Sequence, residues 1–127
     1  MQLIHLNSRV IGGPGTKPYI VAEIGTNHDQ QIDQAKKLID EISKSRCDCI
    51  KFQIYEPYEI VSKRVKCSEY GLDKFYGDIS AYDMFDKYLK TPKSWFPELI
   101  DYVHSLGKDC MATIHGENGI EWASGLD

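Results

Sequence analysis

Glu23, Lys51 and Gln53 each stand near the end of an apolar run. An acid, an ammonium and an amide so placed are parts from which a site for a small anion can be built. The first run is Tyr19-Ile20-Val21-Ala22-Glu23-Ile24-Gly25, and the second is Cys47-Asp48-Cys49-Ile50-Lys51-Phe52-Gln53-Ile54. Both have the length and content of buried strands. Strand side chains alternate between faces, so Lys51 and Gln53 point one way and Phe52 the other. Lys51 could also be no more than the ion-pair partner of Glu23. Asn27 and His28, in the loop after the first run, are candidates for substrate contact or, equally, for a local turn and helix cap.

The elements that must position these groups follow from hydrophobic spacing. Ile32, Ala35, Leu38, Ile39 and Ile42 recur at three- and four-residue steps, an amphipathic helix between the two strands. Residues 56–82 hold Tyr58, Tyr70, Tyr76 and Tyr82, with Tyr55 just before, and show little period. A long loop of this kind is usually functional or mobile, and its tyrosines serve either as a sugar platform or as packing onto a rim. Tyr82 to Leu89 reads as a short helix. Thr91-Pro92 reads as an N-cap and first-turn proline for a stronger one, striped by Phe96, Leu99, Ile100, Val103 and Leu106 and stopped by Gly107. Asp109 to Ile114 is a third strand, and a short helix through Ile120 to Ala123 ends before Gly125. Residues 1–17 are expected to form a β-hairpin about Asn7-Ser8, closed by Gly12-Gly13-Pro14-Gly15.

Strands alternating with helices imply right-handed crossovers and a parallel, helix-covered sheet over residues 18–127. Gly25-Thr26-Asn27-His28 is not a G-x-G-x-x-G fingerprint, so a dinucleotide site lacks its mechanical signature. A barrel is the better fit. In parallel barrels the chemistry sits at the carboxyl ends of strands, where Glu23, Lys51, Gln53 and Thr113 all fall. His115 shares the face of Thr113.

With 127 residues, 42% apolar, the chain has material for one core of moderate size. Its net charge of −4 and lack of a basic run argue against a nucleic-acid partner. Met1-Gln2-Leu3-Ile4-His5 has no positive or apolar leader pattern, and no stretch approaches a membrane span, so a cytoplasmic location without membrane partners is expected. Cys47, Cys49, Cys67 and Cys110 form no C-x-x-C pair and read as small buried hydrophobes in a reducing compartment.

Ala22-Glu23-Ile24-Gly25-Thr26-Asn27-His28, then Ile50-Lys51-Phe52-Gln53, then Ala112-Thr113 after a helix ending in Leu106-Gly107, resembles the N-terminal part of the sialic acid synthase family. That family includes N-acetylneuraminate, legionaminic and pseudaminic acid synthases. The resemblance implies an α/β fold of the parallel TIM-barrel type, of which this chain holds about the first three βα units behind its hairpin. It implies condensation of phosphoenolpyruvate with the open-chain aldehyde of an N-acylated amino sugar, release of phosphate, a divalent metal (Mn or Mg) whose ligands lie outside this chain, and a homodimer in the full-length form. By the same resemblance Lys51 and Gln53 hold phosphoenolpyruvate, Thr113 adds a further contact, and Glu23 is a carboxylate near the reacting carbons.

Two departures stand out. The family's usual Ser-Thr-Pro-Phe reads Ala112-Thr113-Ile114-His115, and Tyr76 stands where members often carry a sugar-contacting Asn. About 250 residues is typical of a closed eight-unit barrel, so this chain is expected to be part of a larger enzyme and inactive alone. The competing readings are a Schiff-base aldolase with Lys51 as nucleophile and a non-catalytic barrel fragment.

Overall fold

The computed structural model describes residues 3–6 and 9–126, so the turn expected at Asn7-Ser8 lies outside the described residues. Ile4–Leu6 (β1) and Arg9–Ile11 (β2) pair antiparallel, Ile4 opposite Ile11. Then come Val21–Gly25 (β3), Ile32–Ser43 (α1) and Cys49–Ile54 (β4). An excursion follows, with short helices at Pro57–Ile60 (α2), Asp73–Tyr76 (α3) and Ala81–Met84 (α4). Phe96–Ser105 (α5), Asp109–Ile114 (β5) and Glu117–Ala123 (α6) complete the order. β3, β4 and β5 form one parallel sheet in that order, the first three strand-helix units of a TIM-type barrel behind a short hairpin.

β4 shows why the sheet folds as it does. Ile50, Phe52 and Ile54 are buried under the helices, while Lys51 and Gln53 between them stay half-exposed on the other face. From α1 come Ala35 and Ile39, and from α5 Phe96, Leu99 and Val103, onto the same core with Ile24. Phe52 meets Phe96 edge to face at 6.1 Å, and Phe96 meets Trp122 at 5.5 Å. A buried Phe contributes about 1.5–3 kcal/mol of transfer free energy, so this aromatic row is the seam that holds α5 and α6 to the sheet. Gly119 in α6 lets it close: a Cβ there would lie 2.7 Å from Cγ2 of Ile114.

The amino ends of the strands are fastened by charge. Arg9 pairs with Asp48, and its Nε lies 3.7 Å from Oδ2 of Asp109. The Tyr19 hydroxyl donates to the same carboxylate oxygen of Asp109 at 2.6 Å, and Asp48 also accepts from the Ile20 backbone N–H. The hairpin is thus tied to β3, β4 and β5 together. The four cysteines are free: Cys47, Cys49 and Cys67 are buried, and burial pushes the half-buried Cys110 thiol up to about 12.

Several local expectations are corrected. The second strand begins at Cys49 rather than Cys47, and the first at Val21. Residues 56–82 are not an open loop, because Cys67, Ala81, Met84 and Leu89 form a satellite core with Val65, Tyr76 and Phe85 packed on it. The helix expected over Tyr82 to Leu89 exists in two parts, α4 and a π-helical stretch Phe85–Leu89. Thr91 does not cap the strong helix. A 3-10 turn at Lys93–Trp95 intervenes, and α5 starts at Phe96 with Pro97 in its first turn. Leu106 leaves the stripe and is exposed, whereas Gly107 takes φ +70° as a helix stop requires.

Candidate functional site

β3 and β4 are in register at Glu23 and Lys51, and a bulge then shifts the pairing so that Gly25 stands opposite Phe52. Gly25 takes φ +59°, open to glycine at no steric cost. The bulge aims side chains at one point. Oε1 of Glu23 and Nε2 of Gln53 both come within 3.6 Å of where a Cβ on Gly25 would sit. Nζ of Lys51 lies 2.8 Å from Oε2 of Glu23. Acid, ammonium and amide are therefore brought together on the face that the helices leave open. Thr113 is the β5 partner of Gln53 on that face, and Met111 is the partner of Lys51.

With side-chain exposures of 32% and 40%, the Lys51–Glu23 pair is too wet to be a stability device. Such pairs contribute about 0–1 kcal/mol. What the pair provides is a cation and a carboxylate held within reach of a ligand, each able to exchange its partner.

Asn27 and His28 are spent elsewhere. The Asn27 side chain donates to the Ile24 carbonyl at 2.9 Å and its backbone N–H reaches the same oxygen at 3.2 Å, a local turn that steadies the end of β3. His28 is fully buried. Its Nδ1 accepts from the Gln30 backbone N–H at 3.1 Å, which puts the proton on Nε2, and Nε2 donates to Oγ1 of Thr91 at 2.8 Å. Trp95 packs against the ring at 5.6 Å. Burial holds this imidazole below its ordinary range, with Asp29 opposing weakly. The Gln30 side chain donates to the Asp86 carbonyl at 2.6 Å, a second tie between this loop and the excursion. Asp29 and Gln30 between these ties carry φ of +49° and +50°, a costly conformation for such residues that persists where surroundings enforce it.

Gly25, Gln30 and Thr91 had no local signal of these roles. Among the described residues no three His, Cys, Asp or Glu side chains converge.

Residues 38–127 match the profile of the NeuB family. The chain belongs to that family. As a NeuB-family chain it is 31% identical over 122 residues, 96% of its length, to an N-acetylneuraminate-9-phosphate synthase of Drosophila melanogaster. It is 30% identical over 108 residues, 85% of its length, to an N,N'-diacetyllegionaminic acid synthase of Legionella pneumophila. It spans 32% and 30% of those relatives. Among solved structures, the N-acetylneuraminic acid (sialic acid) synthetase of Leptospira borgpetersenii in complex with citrate superposes with a TM-score of 0.74 at 24% identity, over 98% of this chain and 39% of that one. That likeness shows the fold. No helix among the described residues is long and apolar enough to cross a membrane.

Proposed function

We propose that this chain supplies the first part of a phosphoenolpyruvate-dependent synthase that condenses an N-acylated amino sugar into a sialic-acid-like nonulosonic acid. The observation that carries this reading is the convergence of Glu23, Lys51 and Gln53 beside the Gly25 bulge. Family membership and relatives named for nonulosonic acid synthesis support it.

The chemistry gives each group a task. Phosphoenolpyruvate carries a carboxylate and a phosphate, and removing such charge from water is costly unless it is paired. Lys51 pairs it. Gln53 and Thr113 donate neutral hydrogen bonds to it. The enol carbon attacks the aldehyde carbon of the sugar, the aldehyde oxygen ends as a hydroxyl, and water replaces phosphate at the carbon that becomes positive. Glu23, freed from Lys51 by the anion, faces that carbon and steadies it or moves a proton there. The divalent metal of the proposed full enzyme would draw its ligands from outside the described residues.

Phosphate release that requires both substrates, measured on the full-length protein, tests this reading. Release with no dependence on an amino sugar would overturn it. The Schiff-base alternative, with Lys51 as nucleophile, has no specific observation in its favour. Residues 1–127 alone are expected to give no turnover, since three strands build only one wall of the site.

A further inference from the structure

Side chains on one strand face recur every second residue, so Tyr55 and His115 continue the open face one step beyond Gln53 and Thr113. The pairing of Ile54 with Ile114 persists to this point, and the His115 N–H donates to the Ile54 carbonyl at 3.0 Å. The two rings meet edge to face at 5.9 Å. Tyr55 is 3% exposed. Its hydroxyl and Nδ1 of His115 are both buried with no hydrogen-bond partner among the described residues. Phe85 covers Tyr55 from the excursion at 5.9 Å and supplies apolar contact without a polar partner. Orphaned polar atoms forfeit their hydration with nothing in return, and two of them carried by rings that pack on each other in the layer above Gln53 and Thr113 call for a common cause.

We propose that Oη of Tyr55 and Nδ1 of His115 form a subsite for a single hydroxyl-type oxygen. A phenol donates and accepts, and a ring nitrogen does either according to its tautomer; an oxygen that also does both satisfies the pair in either state. An acceptor-only oxygen would need both atoms to donate. The oxygen comes from an ordered water or from a hydroxyl of the amino sugar, and the second source rests on the function proposed above.

The test uses the full-length protein with Tyr55→Phe, His115→Phe and the double variant, and reads the KM of each substrate and the thermal midpoint. If a sugar hydroxyl occupies the subsite, Tyr55→Phe raises the KM for the amino sugar about tenfold, the loss expected for one or two hydrogen bonds, and leaves that for phosphoenolpyruvate unchanged. If water occupies it, both KM values hold, each single variant lowers the midpoint, and the double variant lowers it no further than either single one. Single variants that leave the midpoint unchanged or raise it, with neither KM moved, overturn the proposal. The thermal cycle stands even if the wild-type protein condenses no sugar, so failure of the function and failure of the subsite are told apart.

Discussion

Glu23 pairs with Lys51, and that pairing decides what each substitution does. Glu23→Gln removes the carboxylate that competes for the ammonium, so phosphoenolpyruvate should bind at least as tightly in calorimetry while condensation is lost. Weaker binding would show that Glu23 serves to place Lys51 rather than to act on the reacting carbons. If Lys51 holds phosphoenolpyruvate as proposed, Lys51→Met deletes a charge-assisted contact worth about 1.5–3 kcal/mol, so affinity should fall roughly 10- to 150-fold by that figure. Because the pair is wet, neither change should move the thermal midpoint much. The positions of Lys51 and Gln53 were legible from strand period alone. Their meeting with Glu23 was legible too, from the placing of all three at the carboxyl ends of parallel strands, but the bulge beside them was not, because Gly25 in the sequence looks only like the start of a loop and the bulge depends on pairing with a strand some 25 residues on.

Elements in this fold are tied by contacts between residues far apart in sequence, and there the sequence misleads. Thr91-Pro92 has the signature of a helix cap, yet the Thr91 hydroxyl accepts a hydrogen bond from His28, 63 positions away. Local propensity cannot report such a partner. The tie has a pH signature. Burial lowers the His28 pKa in the folded state, so the unfolded chain takes up the proton first. This contribution to stability is fully present above the unfolded value of about 6.5 and is lost as pH falls below it toward the folded value. The thermal midpoint of the full-length protein should therefore drop between pH 7.5 and 5.5, and His28→Gln should flatten that part of the profile. An unchanged slope would remove His28 as its source. At α6, Gly119→Ala sets two effects against each other: alanine favours the helix by about 1 kcal/mol, but the new Cβ meets the stiff β-branched Ile114 at 2.7 Å. Overpacking of this kind costs about 1–3 kcal/mol, so net destabilisation is expected in a denaturant titration.

At the scale of the molecule, the order β3-β4-β5 leaves two strands at the edges and one face of the sheet bare of helices. Unpaired edge groups template further pairing. Residues 1–127 prepared alone should then self-associate with rising concentration in sedimentation velocity; a sharp monomer at all concentrations would show that the edges are capped. Three strand-helix repeats were legible because both periods, two and three to four, are strong in their segments. The excursion was not, since its satellite core draws Cys67, Ala81, Met84 and Leu89 from short pieces that each carry too few apolar residues to show a period. The same economy of exposure governs sulfur. With three thiols sealed in the interior and the fourth, Cys110, resisting ionisation, a surface cysteine introduced on the excursion of residues 1–127 would be the most reactive toward maleimide at neutral pH, so a dye could be placed there against a dark background.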